Sequence, residues 1–382
     1  MSDRSTWIVP EAVFDGWDLK NNIAVKVCDG LIEKIVPVQD VAGALDTHEM
    51  SGVLTPGFVD LQVNGGNGVL LNQMPTPDGI AEVAAAHRKF GTVRLLPTIV
   101  TDAPDVMERM VDAMLETYPD HGVLGVHLEG PHLSAARKGT HAEKFLRPLD
   151  EATMAQVTRL RQKDIPVMIT VAPEAATPAD ISRLTEMGAV VSIGHSDAPG
   201  DEVVSALAAG AHCFTHLFNA MSPMQGRAPG VVGAAINSDA HVGIICDGIH
   251  VADEMVGLAI RARPVIDRTF LVSDAMPTVG GGDGFDLYGT WVSLKNGKLV
   301  NENGNLAGAH TTMFASVGRL INIVGVGVEI ALRMATGIPY GLMKGQNRRA
   351  SMLEGARVSD VLILDNSFES FNFLDSKMQG IC

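Results

Sequence analysis

Cysteine is scarce. Only Cys28, Cys213, Cys246 and Cys382 occur among 382 residues, far apart and with no C-x-x-C pair. That spacing excludes both a zinc knuckle and a disulfide framework, and reduced thiols fit a cytoplasmic location. Long hydrophobic runs are also missing. No apolar segment is long enough to cross a bilayer, and no basic region followed by an apolar run and a small-residue cleavage site stands near the N-terminus. A soluble chain without a membrane partner is expected. Positive charge is in deficit too: 29 Lys and Arg against 44 Asp and Glu leave a formal net charge of -15. Such a balance repels nucleic acid, and an anionic ligand would need a local cluster of donors. There is no internal repeat, no low-complexity tract and no G-x-G-x-x-G. The last absence argues against a doubly wound sheet with a dinucleotide site.

What the sequence does have is apolar surface to bury. Hydrophobic residues make up 46% of the chain, enough for a barrel-sized core. Ile23, Val25 and Val27 alternate before the turn pair Asp29-Gly30, and Leu31, Ile32 and Ile35 follow it, which is a hairpin pattern. A second strand-like run, 361–364, lies near the C-terminus. The two ends are therefore expected to form one small β-sandwich domain, residues 1–55 with 352–382.

Between them, residues 56–351 alternate short apolar runs with segments of helical period. The runs are 58–63, 93–100, 123–128, 167–171, 190–194, 214–217, 242–246 and 270–273, and helical stretches such as 80–90, 154–160, 181–187 and 203–209 lie between them. About eight such units predict an α/β fold, a (β/α)8 TIM-like barrel. Most runs end in a residue able to do chemistry: Gln62 and Asn64, Glu129, His195, His216, Asp247 and Asp274. In a closed barrel the C-terminal strand ends converge on one face, so these residues would share a pocket.

Glu129 ends an apolar run in His127-Leu128-Glu129-Gly130-Pro131, while His195 and His216 end two later runs. One carboxylate and two imidazoles suit a catalytic divalent metal, because three protein ligands leave a position open for water. A single histidine at a strand end is more often structural, but three such residues at strand ends form a pattern. His87, His121 and His241 read as structural or solvated. Lys138-Gly139-Thr140-His141 follows one loop later, and His141 is either a holder of a substrate carbonyl or a surface histidine. Asp274 could exchange a proton with a water beside the metal, or could cap a turn.

Six segments in order carry a resemblance: Pro56-Gly57-Phe58-Val59-Asp60, His127-Leu128-Glu129-Gly130-Pro131, Gly194-His195-Ser196, Thr215-His216-Leu217-Phe218-Asn219-Ala220-Met221, Asp247-Gly248-Ile249-His250 and Val272-Ser273-Asp274-Ala275. Together they resemble the N-acetylglucosamine-6-phosphate deacetylase family of the amidohydrolase superfamily. The similarity runs from about residue 30 to residue 336 and fades over the last forty or so.

The resemblance implies hydrolysis of N-acetylglucosamine 6-phosphate to glucosamine 6-phosphate and acetate. It implies one divalent metal on Glu129, His195 and His216, zinc first, with iron, manganese or cobalt as alternatives. Asp274 would be the catalytic base and acid, and His141 would hold the substrate carbonyl. Substrate contacts are implied at Thr140, His141, Asn219, Ala220, Arg227, Asp247, Gly248, Ile249, His250, Leu306, Ala307 and Gly308. Arg227 and His250 would be the local donors for a phosphate, and a homodimer is expected. One departure matters. Many amidohydrolases carry His-x-His after the first strand, whereas this chain has Gln62-Val63-Asn64. Amides are poor zinc ligands, so a single-metal subtype is implied. The alternatives are a deacetylase for N-acetylgalactosamine 6-phosphate, another N-acyl amidohydrolase, or a non-catalytic scaffold. Retention of Glu129, His195, His216 and Asp274 speaks against the scaffold.

Overall fold

A computed structural model describes residues 5–41, 43–44, 46–302, 304–345 and 351–378. Cys382 lies outside them. Eight strands form one sheet in which each neighbours the next in the chain: Phe58–Val63, Thr92–Val100, Val126–Glu129, Val167–Val171, Val190–Ile193, Cys213–Phe214, His241–Ile244 and Thr269–Leu271. All seven pairings are parallel. The sheet curls until Val63 meets Ala275 in a parallel bridge, with the amides of Asn64 and Gly65 donating to the Ala275 carbonyl at 2.9 and 3.1 Å. The outcome is a nearly closed barrel.

Parallel strands covered on both faces read as continuous apolar runs, which is why these segments lack alternation. The connecting helices begin where the local chemistry starts a helix. Thr76, Asp150, Thr177 and Thr312 each accept a backbone N–H with the side chain at the N-terminus of Pro77–Arg88, Glu151–Arg161, Pro178–Glu186 and Met313–Asn322. The strand expected at 214–217 shortens to Cys213–Phe214, because His216 (φ 31°) and Phe218 (φ 78°) adopt left-handed backbone and leave the ladder.

The chain ends meet as the alternation implied. Thr47–Pro56 pairs in parallel with Ser5–Phe14 and antiparallel with Val361–Leu364, within one seven-stranded mixed sheet. A sandwich was expected; the hydrogen-bonded unit is a single continuous sheet. One face carries Ile8, Val25, Ile32, Leu54 and Ile363 against Leu374 of the short helix Leu374–Met378. The other carries Phe14, Val53, Leu362 and Leu364 into the barrel's own core, so the barrel stands where a second sheet would. A three-stranded sheet, Gly284–Leu287, Thr290–Lys295 and Lys298–Val300, follows the last barrel strand and was not anticipated. Its Phe285, Leu287, Val292 and Leu299 pack with Leu70 and Met276 beside the barrel mouth. No helix among the described residues is long and apolar enough to cross a membrane.

Candidate active site

The strand ends enclose a cavity of about 210 Å3 lined by Glu129, His141, His195, His216, Asn64 and Asp274, among others. His195 (φ 47°), His216 (φ 31°) and Asp274 (φ 52°) all take left-handed backbone just past their strands. This conformation is uncommon outside glycine, and here it turns each side chain inward. Beneath them, Ser192, Thr215, Thr170 and His127 form a buried hydrogen-bonded row, with links of 2.7 Å, that fixes the floor.

Three atoms converge. The Oε1 of Glu129 lies 2.9 Å from His216 Nε2 and 3.3 Å from His195 Nε2, and the two Nε2 atoms are 3.1 Å apart. A tetrahedral ion with bonds of about 2.0–2.2 Å separates its ligands by roughly 3.3–3.6 Å, so this triangle fits such an ion after a small outward shift. The Nδ1–H of His195 donates to the Arg137 carbonyl at 2.9 Å, which leaves Nε2 with its lone pair toward the triangle. His141 also brings a ring nitrogen within 4.8 Å of ligand atoms of Glu129 and His195. Its Nδ1, however, lies 3.3 Å from the Thr101 amide, which donates to it, and 2.8 Å from Thr101 Oγ1. Nδ1 therefore carries the lone pair and Nε2 the proton, which makes the ring a donor into the cavity.

The electrostatics of the site are set by burial and by the buried charge of Glu129. Burial raises the cost of ionising Glu129, yet its hydrogen bonds to His195 and His216 outweigh this and hold its pKa well below the usual value. For His216 burial favours the neutral ring, but the bond to Glu129 and its charge push the pKa up. Burial and then the charge of Glu129 raise Asp274 to about 6. Burial lowers His141 to about 3, with His195 adding to the effect, so its ring is neutral.

The Gln62-Val63-Asn64 departure now has a geometry. Gln62 Nε2 donates to Glu129 Oε1 at 2.9 Å and to Asp274 Oδ1 at 3.1 Å, while Asn64 Nδ2 donates to Asp274 Oδ1 at 2.7 Å. Gln62 thus ties the two carboxylates together and Asn64 adds a second bond to Asp274, where His-x-His would offer imidazoles. Asp274 is left with Oδ2 toward the cavity.

Among the other expected contacts, Thr140, Asn219, Ala220, His250, Leu306 and Gly308 line the cavity. Asp247, Gly248, Ile249 and Ala307 do not. Asp247 sits behind His250, accepting its Nδ1–H at 2.7 Å and the amides of Ile249 and His250 at 2.8 and 2.9 Å. Gly248 (φ 72°) passes so close to Arg319 that a Cβ would lie 2.0 Å from its guanidinium. Ala307 is fully buried under the three-stranded sheet. Arg227 is a further departure: it is exposed at the tip of the tight Gln225 to Ala228 turn and lines no part of this cavity. Val100, Gly139 and Met276 line it without having been anticipated, and Thr101 was missed as the partner of His141. His87 is buried, with Nε2 bound to the Gly65 carbonyl at 2.9 Å, a structural role. Cys213 and Cys246 are buried thiols whose pKa desolvation raises to about 12, and none of Cys28, Cys213 and Cys246 forms a disulfide among the described residues.

Comparison with models of protein families gives no match. Curated proteins do match. An N-acetylgalactosamine-6-phosphate deacetylase of Shewanella sp. (strain ANA-3) is 38% identical over 330 residues, 84% of this chain and 83% of that one. The human N-acetylglucosamine-6-phosphate deacetylase is 34% identical over 332 residues, 82% of this chain and 80% of that one. Among solved structures, the N-acetylglucosamine-6-phosphate deacetylase of Pasteurella multocida superposes with a TM-score of 0.86 at 33% identity, covering 95% of this chain and 96% of that one.

Proposed function

The chain belongs to the N-acetylglucosamine-6-phosphate deacetylase family of the amidohydrolase superfamily, and on that premise we propose that it hydrolyses N-acetylglucosamine 6-phosphate to glucosamine 6-phosphate and acetate. The observation that carries the reading is the triangle of Glu129 Oε1, His195 Nε2 and His216 Nε2, no edge longer than 3.3 Å, in the cavity that Asp274 and His141 also line.

Glu129, His195 and His216 would hold one divalent cation. Such a cation supplies Lewis acidity and a nucleophilic water near neutral pH; zinc suits this donor set best, and iron, manganese or cobalt would fit it. His141 donates its Nε2–H to the acetamide oxygen as charge builds there. Asp274 takes the proton of the attacking water on Oδ2 and passes it to the departing amine. Gln62 and Asn64 occupy Oδ1, so proton traffic is confined to the other oxygen. No covalent enzyme intermediate is needed.

Thr140, Asn219, Ala220, His250, Leu306 and Gly308 would contact the sugar phosphate, with His250 held in place by Asp247. Arg227 is exposed and lines no part of its own cavity, which favours a homodimer in which this guanidinium serves a neighbouring protomer's phosphate. Residues 1–55 with 352–382 would act as the accessory unit and 56–351 as the catalytic one, in the cytoplasm. A second reading has its own support: the Shewanella relative, at 38% identity, acts on the galacto epimer by its name. Acetate release from the two epimeric phosphates and from unphosphorylated N-acetylglucosamine, with metal quantified on the same sample, tests all of this. Faster turnover of the galacto epimer would transfer the assignment to it. Equal turnover of the unphosphorylated sugar would remove the phosphate role from Arg227 and His250.

A further inference from the structure

We propose that Thr101, anchored by Tyr288 of the three-stranded sheet, is a positioning residue that fixes the ring orientation and tautomer of His141. Thr101 follows the second barrel strand and is 1% exposed. Its amide N–H and its hydroxyl both address His141 Nδ1, at 3.3 and 2.8 Å. The hydroxyl can rotate to give or take a hydrogen, but the amide can only donate. A proton on Nδ1 would therefore face the amide hydrogen, and the ring is confined to the form with the proton on Nε2.

Two further features bear on this seat. Gly130 passes with its backbone so near Thr101 that a Cβ would stand 2.3 Å from the Thr101 hydroxyl, and its φ of +84° favours glycine as well. From the opposite side the Tyr288 hydroxyl donates to the Thr101 carbonyl. Tyr288 stands at the turn between Gly284–Leu287 and Thr290–Lys295, itself in left-handed backbone at φ 56°. The accessory sheet thereby reaches the barrel mouth at the residue that orients His141. Without this clamp the ring would be free to rotate about its side-chain bonds and to exchange tautomers, and its donor would be lost for part of the time.

The consequence for turnover rests on the deacetylase reading, whereas the tautomer does not. Thr101→Val keeps the shape and removes the hydroxyl, Thr101→Ser restores it, and Tyr288→Phe removes the anchor together with the hydroxyl's bond to the Ala142 backbone. Ring 15N shifts of His141 in the full-length zinc-loaded protein should show Nδ1 unprotonated in the parent and in Thr101→Ser. Thr101→Val keeps the amide donor but loses the shorter hydroxyl bond, so its ring signals should shift and broaden as the ring leaves its seat and rotates. With N-acetylglucosamine 6-phosphate, Thr101→Val should lower kcat about tenfold with KM within about twofold, and Tyr288→Phe about threefold, as expected for loss of one oriented hydrogen bond. Thr101→Ser should stay within about twofold of the parent. A parent ring protonated on Nδ1, or an unchanged ring signal in Thr101→Val, would overturn the proposal. So would parental kcat in both Thr101→Val and Tyr288→Phe. If the parent released no acetate from either sugar phosphate, the functional reading would fail, and the ring shifts would still decide the clamp.

Discussion

Replacing Asp274 by asparagine isolates the proton step from everything else in the site. In the parent, Oδ1 accepts amide N–H groups from Asn64 at 2.7 Å and from Gln62 at 3.1 Å. An asparagine placed there must offer its own oxygen to those two donors, because its amide nitrogen would meet N–H against N–H. Its nitrogen therefore turns toward the cavity, where Asp274 presents Oδ2. The group that should take a proton becomes one that can only give one, while shape, packing and the Glu129, His195 and His216 triangle are kept. Loss of a general base costs about 100- to 10,000-fold in rate, roughly 3–5.5 kcal/mol of transition-state stabilisation. Asp274→Asn should fall in that range for acetate release with KM little changed, bound metal undiminished and the melting temperature close to parental. Turnover above about a tenth of the parental rate, with metal bound, would refute the assignment of the base and the orientation argument together.

The same carboxyl sets a pH limb: burial and the Glu129 charge raise it to about 6, and only its ionised form accepts a proton. The rate should fall as pH drops through about 6, or lower in the loaded enzyme because a cation favours ionisation, and a rate flat from pH 7 to pH 4 would contradict this. Asp60 gives a stability test. Burial raises its pKa from 3.8 to about 7, so its folded form favours the proton, its contribution is complete below about 3.8, and it is lost as pH rises through about 7. Asp60→Asn should gain melting temperature relative to the parent between pH 5 and pH 8, and a pH-independent difference would exclude the ionisation argument. His216→Ala should weaken metal affinity by at least about 100-fold and abolish acetate release, as chelation should in the parent, with zinc restoring only the latter. Equal metal content in parent and variant would contradict the ligand assignment.

The barrel was legible because its strands are buried on both faces and most of them stop at a residue that water or a ligand must meet. Glu129, His195, His216 and Asp274 could be named from that alone, and the resemblance added their roles. Other residues were out of reach for physical reasons. Thr101 and Tyr288 act through one hydroxyl each, across 187 positions of sequence, and a hydroxyl leaves no periodic trace. The three-stranded sheet, with few apolar positions and a core of its own, gave no signal strong enough to separate it from loop. Asp247 ends a run as Glu129, His195 and Asp274 do, yet it faces the back of His250, a distinction that depends on which way one turn closes. Arg227 is named by its motif, but a motif does not say whose cavity the side chain enters. The termini meet as expected, but in one sheet where a sandwich was expected, and its partner layer could not be read because it is the barrel itself.

Anomalous scattering at the zinc edge from crystals of the zinc-loaded protein, with metal counted in solution, addresses the central claim most directly. One ion per chain should lie between Glu129 Oε1, His195 Nε2 and His216 Nε2, with His141 outside the coordination shell. Two ions, an ion held by His141 in place of His216, or no ion within the triangle would contradict the account.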